Sequence, residues 1–178
     1  MVKNAISLIN KSFLFCLTLI IFSLHQTAMA VVCEGEYALC TAAKCEPNPD
    51  NKDEALCHCS AQVGPSIGLE SCRGARTVKG EKTIHSRYYP VTSYLSCPGG
   101  KQWADCMDSV CTIDKENPAK AVCVCSIIQN KGKYVLASDS CNKSECSSGL
   151  YAGFYYDEVT EVLNNQGRFA GTKPKACK

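Results

Sequence analysis

The chain has 178 residues, with 19 Lys and Arg against 17 Asp and Glu, and fifteen of its residues are cysteine. A charge this close to balance removes any global electrostatic argument for a nucleic-acid or anionic-surface partner. The length suits one or two small domains.

The first thirty residues read as a secretory signal peptide. Lys3 and Lys11 give a positive start, "SFLFCLTLIIFSL" (12–24) is an apolar run, and Ala28, Met29 and Ala30 form a small-x-small cleavage site. The run is short for a membrane span, which needs about 20 apolar residues. Val31 and Val32 stand where a lipoprotein signal would place a small residue before Cys33. Cleavage after Ala30 would leave 148 residues, 31–178, with no stable membrane anchor and with 17 basic residues against 17 acidic ones. Cys16 leaves with the signal, and the remaining fourteen cysteines reach the roughly 8–10% that marks a disulfide scaffold in a secreted chain. Seven disulfides are expected in an oxidising compartment, secreted or periplasmic.

The cysteine spacing repeats. Cys40, Cys45, Cys57 and Cys59 are matched by Cys106, Cys111, Cys123 and Cys125, each 66 residues on. Ala38, Ala55 and Ser60 recur as Ala104, Ala121 and Ser126 at the same offset. With Cys33 and Cys72 flanking the first series, and Cys97 and Cys141 the second, each copy holds six cysteines, the pattern of an internal duplication. The expected organisation is a signal at 1–30, a first module at 31–72, a basic tyrosine-containing linker at 73–96, a second module at 97–141 and an aromatic, helical tail at 142–178.

Within each module, "EALCHCS" (54–60) and "KAVCVCS" (120–126) read as strands. Residues two apart on a strand share a face, so Cys57 and Cys59 point inward while His58 points out; Cys123, Cys125 and Val124 follow the same rule. Parallel side-chain vectors suit a disulfide poorly, so each of these cysteines should bridge elsewhere. The Pro-, Asn- and Asp-rich stretches before them are turns, which predicts a hairpin with strands near 37–46 and 54–62. A short helix over "ALCTAAKC" is the competing reading. Six cysteines allow 15 pairings, and spacing does not choose among them. Three bridges per module leave Cys146 and Cys177, which are expected to pair and hold the tail.

The linker carries a net charge of +4 over 73–96, against −5 for 33–72, and is expected to lie against that acidic module. In the tail, "DEVTEVLNNQG" (157–167) predicts a helix, with acids in the first turn and Gly167 to end it. Asn142 opens a glycosylation sequon that matters only in a eukaryotic secretory pathway.

Four chemistries compete for these residues. Cys57-His58-Cys59 resembles a reactive dithiol, but Val124 replaces the histidine in the second copy. A structural zinc site would want other cysteine gaps and reduced thiols, so no metal and no cofactor is expected. "GPSIG" (64–68) fits the nucleophile motif G-x-S-x-G, with His85 or His58 as base, yet that motif has meaning on a strand–turn–helix of a much larger sheet. The aromatic stretches "RYYPVTSY" and "GLYAGFYYDE" either fill the core or form a face, and no counterpart of either is evident in the duplication. Tyr88, Tyr89, Tyr151 and Tyr155 are the candidate binding residues; no catalytic residue is assigned.

At "CPGGKQWADC", "AVCVCS" and "SGLYAG" the chain resembles secreted cysteine-rich tandem-repeat proteins of Gram-negative bacteria. That resemblance implies periplasmic or extracellular placement and brings no activity with it. The fold class expected is small, disulfide-rich and mainly β, with two homologous six-cysteine modules and a short C-terminal helix. The function expected is non-enzymatic binding of a protein or surface ligand, as an inhibitor or surface-interaction factor. The alternative is a small secreted enzyme, a hydrolase or a thiol-disulfide oxidoreductase, which should lose activity on replacing Ser66 or His85.

Overall fold

A computed structural model describes residues 30–89, 91–129, 132–138, 140–156 and 173–178. The signal segment up to residue 29 and the helix expected over 157–167 lie outside the described residues. The rest is mainly β and is tied by seven disulfides, as its cysteine content requires. No helix among the described residues is long and apolar enough to cross a membrane.

The described residues form twelve strands: β1 (Val31–Leu39), β2 (Lys44–Pro47), β3 (Glu54–Gly68), β4 (Arg76–Val78), β5 (Glu81–Arg87), β6 (Ser93–Cys97), β7 (Gln102–Asp105), β8 (Val110–Ile113), β9 (Lys120–Gln129), β10 (Tyr134–Ala137), β11 (Leu150–Tyr155) and β12 (Lys175–Ala176). A 3-10 turn, Lys143–Cys146, is opened by Asn142, whose side chain accepts from the Ser144 N–H. The expected hairpin over 37–62 is present as β1, β2 and β3, with a turn rather than a helix at 41–42.

The centre of the molecule is the antiparallel β3–β9 pair, in which Cys57 lies opposite Cys123. Its alternation follows the period of two. Cys57, Cys59, Cys123 and Cys125 are buried; His58 is exposed, and Val124 is 44% exposed. Each buried cysteine bridges off its own strand: Cys45–Cys57, Cys40–Cys59, Cys111–Cys123 and Cys106–Cys125. The four bridges meet over one face of the pair, with Cys40 Sγ 3.5 Å from Cys123 Sγ. Each contributes about 2–4 kcal/mol, largely by restricting the unfolded chain.

Strand pairing closes on itself twice. β1 pairs with β3 and with β5, β5 with β8, β8 with β9, and β9 with β3. That is a ring of five strands. A second ring runs β7, β11, β2, β3 and β9. The rings share β3 and β9, and closure leaves few free edges. Their registers repeat at the offset of 66. Ala38 faces Ser86 as Ala104 faces Ala152, and Ile84 faces Cys111 as Leu150 faces Cys45. Ala42 and Asp108 take the same left-handed turn at φ 50° and 56°.

Three expectations change here. The stretch 73–96 is not a connector: it supplies β4, β5 and β6, and β5 closes the first ring. Parts of the linker and the tail also pair alike: β5 and β11 take matching registers at the offset of 66, which sets Tyr88 against Phe154 and Tyr89 against Tyr155 in that numbering. Finally, Cys146 and Cys177 do not pair with each other. Cys97 bridges Cys146, and Cys141 bridges Cys177. The cause is β12, which runs parallel to β6 and brings Cys177 beside the loop of Cys141, while the 3-10 turn packs against β6. The first six cysteines do close on themselves, with Cys33–Cys72 as the third bridge.

The halves differ in what covers them. β10 adds to β11 and carries β6 and β12, so an extra layer packs over the second ring. There Trp103, Tyr134, Leu95 and Leu136 form a cluster of their own. Trp103 stacks on Tyr134 at 5.6 Å and meets the edge of Tyr155 at 4.9 Å. Gly153 permits this closeness, since a Cβ there would lie 3.0 Å from the Val135 carbonyl and 3.2 Å from the Trp103 ring.

All fourteen cysteines of the described residues are in bridges, so thiol titration of the unfolded, unreduced protein should find none free. Two or more free thiols per chain would overturn the framework. Non-reducing peptide mapping should recover Cys97 with Cys146 and Cys141 with Cys177.

Candidate binding site

Among the described residues no such layer covers the first ring, and its mouth is a groove of about 520 Å³. β1 contributes Glu36 to it, β3 contributes Ala61, Gln62 and Val63, β5 contributes Lys82 and Ile84, and β8 contributes Ile113. The turn after β8 adds Asp114, Lys115 and Pro118. Local sequence explains this wall. The Lys79–Gly80 turn, with φ 51° and 80°, folds β4 back on β5 and holds Lys82 at the rim. Asp114 accepts from the N–H groups of Glu116 and Asn117, which fixes the opposite turn.

The floor is apolar. Ile84 is fully buried beneath it, and Val63 stands 79% exposed above. The rim alternates in sign: Lys82 is paired with Glu36, and Lys115 lies 3.5 Å from Glu81. Lys82–Glu36 and Arg73–Glu70 place two cations of the basic stretch on carboxylates of the acidic module, as its charge balance predicted.

Behind the groove, on the other flank of β1 and β5, lies a cavity of about 50 Å³ that holds Ser66, His85, Arg73 and Arg87. Arg87 and Asp108 form a buried ion pair. Asp108 also accepts from the backbone N–H of Leu69 at 2.7 Å and of Glu70 at 2.9 Å, and Arg87 donates to the Glu70 carbonyl at 3.0 Å. This network pins the loop that ends in the Cys33–Cys72 bridge. The positions 66 residues away hold Ala42 and Gly153, so the second half has no such clamp.

Ser66 and His85 line one cavity without forming a catalytic pair. Ser66 is buried within β3, and its hydroxyl donates to the Cys33 carbonyl at 3.4 Å. His85 Nδ1 is buried with no hydrogen-bond partner among the described residues. Its pKa is lowered, first by burial and then by Arg73. A nucleophile needs its base within hydrogen-bond reach, and no such bond joins the two. The sulfur atoms of Cys40, Cys59 and Cys123, and of Cys45, Cys57 and Cys106, lie within 4.8 Å of one another. All six are in disulfides, and the zinc ligand is a thiolate.

None of the four tyrosines singled out from the sequence lines the groove. Tyr88 is fully buried, its ring centroid 3.9 Å from that of Phe154. Tyr89, Tyr151 and Tyr155 are half-buried, and the Tyr37 hydroxyl donates to the Tyr89 carbonyl at 2.6 Å. Tyr88 therefore does not reach a surface, and the other three are divided between the two core clusters. Val63 was not among the residues singled out from the sequence, although counting by twos from Cys57 and Cys59 puts it on the inward face, at a ring end where it is 79% exposed.

Comparison with known protein families, with curated proteins and with solved structures found no match.

Proposed function

We propose that this chain is a secreted or periplasmic, disulfide-stabilised binding protein without enzymatic activity, built from two duplicated modules that exchange strands. The recurrence of strand registers at 66 residues supports the duplication: β5 leaves its own half to pair with β8, and β11 pairs with β2. The resemblance to secreted cysteine-rich repeat proteins of Gram-negative bacteria fits that reading, as do the seven disulfides. Inhibition or surface attachment is the form of action such a scaffold suits.

The observation that carries the reading is the mouth of the first ring, where an apolar floor opens between rims of mixed charge. Ligand sites favour such barrel mouths, and contiguous exposed apolar surface rimmed by polar residues marks interaction sites. A rim with both signs suits an extended polypeptide segment that itself carries both signs, rather than a polyanion. Val63 is the exposed anchor in that account.

Retention of a native partner from the protein's own secreted fraction tests it, with Val63→Glu and Val124→Glu compared at equal folded fraction. Val63→Glu should weaken retention of the partner by about tenfold or more, equivalent to roughly 1.4 kcal/mol. Val124→Glu, on the outer face of β9, should leave it unchanged. Equal retention by both variants, or loss with Val124→Glu alone, would refute the groove.

A further inference from the structure

The second half of the molecule carries a different cavity, far from the groove in character. It measures about 430 Å³ and lies where β6, the 98–101 turn, the 3-10 turn and the segment after β12 come together. Three lysines line it: Lys101 from the turn, Lys143 from the 3-10 helix and Lys178 beyond Cys177. No Asp or Glu lines it among the described residues, and none of the three lysines is in an ion pair there. The nearest acid in sequence, Glu145, accepts from the Ser140 hydroxyl and is not part of the lining. A cavity with this charge stands out in a chain whose residues 31–178 are neutral overall.

The remaining lining is Leu95, which is buried, Pro98 and Gly99, the half-cystines Cys146 and Cys177, and two serines, Ser96 and Ser147. These two cysteines belong to the bridges that depart from the repeat pattern, Cys97–Cys146 and Cys141–Cys177. The bridges hold the segments bearing Lys143 and Lys178 against β6, so the cations are presented by a cross-linked frame rather than by free loops. Ordering costs are then met on folding and do not recur on binding.

We infer that this cavity binds an amphipathic organic anion: an acidic group held by Lys101, Lys143 and Lys178, with an apolar body against Leu95, Pro98 and the two disulfides. The volume falls within the range of small-molecule pockets, about 300–1,000 Å³. Lysine presents a mobile point charge, which suits carboxylate, sulfonate or phosphate without selecting among them. The site is independent of the groove and stands or falls separately from it.

The test uses the oxidised, folded protein and 8-anilinonaphthalene-1-sulfonate, an aromatic sulfonate whose fluorescence rises in apolar surroundings. Saturable binding at one site is expected, weakened several-fold when salt screens the lysines. The double variant K101E/K143E should bind about tenfold or more weakly, with an unchanged melting temperature and intact bridges. Should charge reversal disturb folding, K101Q/K143Q serves, with a smaller loss expected. Val124→Glu, on the outer face of β9 and outside both cavities, should bind as the parent does. The uncharged analogue N-phenyl-1-naphthylamine should bind more weakly than the sulfonate. Absence of saturable binding, equal binding of the charged and neutral probes, or binding untouched by both lysine variants would overturn the assignment.

Discussion

Tyr88→Ala should lower stability by about 3–5 kcal/mol, the cost of truncating a large buried aromatic. In a domain of this size that corresponds to a fall of roughly 6–20 °C in melting temperature. The ring is fully buried and packs against Phe154, its counterpart across the two halves, so its loss opens a void between the β5 and β11 segments. Its backbone bonds to Ile67 would survive, which limits the damage to packing. Tyr151→Ala, at a half-buried position, should cost less than half as much. Thermal melts of the oxidised variants measure both, and partner retention at matched folded fraction should be unchanged for Tyr88→Ala. Loss of binding without loss of stability at Tyr88, Tyr89, Tyr151 and Tyr155 would reverse the assignment and make them a face.

Asp108→Ala should be comparably damaging, at about 3–5 kcal/mol, because it strands a buried guanidinium. It also frees the N–H groups of Leu69 and Glu70, which Asp108 accepts from. Removing the partner charge as well changes the arithmetic. Arg87→Met with Asp108→Ala should cost less than the two single changes added together, since the desolvation penalty leaves with the charges. Denaturant unfolding with the disulfides intact measures the cycle. Simple additivity would mean that the two side chains do not act as a pair. The corresponding positions Gly153 and Ala42 show that the same backbone course is built in the second half without ions. The clamp therefore serves the loop of 69–72 rather than the ring.

Much of the central architecture was legible because it is local. Strand parity alone placed Cys57, Cys59, Cys123 and Cys125 inward and sent each to a partner on another strand. The turn residues at 47–53 marked the hairpin. What failed to show was non-local. β5 closes a ring by pairing in parallel with β1, and no short-range signal announces such a contact. Its equivalence to β11 carries no cysteine, only Ile84 with Leu150, Tyr88 with Phe154 and Tyr89 with Tyr155. The tail bridges depend on β12 finding β6, which spacing cannot reveal. The tyrosines were conspicuous by composition, yet their burial is set by the layers above them. The groove was hidden for the opposite reason: Val63 reads as one more inward residue, yet no second layer among the described residues packs over it. Lys101, Lys143 and Lys178 come from three separate segments and converge only when two disulfides are formed.

Hydrogen–deuterium exchange of the protein alone and with its native partner tests the binding account most directly. The mouth of the first ring should gain protection in the complex at 61–63, at 80–84 and at 113–118, while 122–126 in the middle of β9 should exchange as before. Protection confined to β9, or to the surface of the second half with the mouth unchanged, would contradict it.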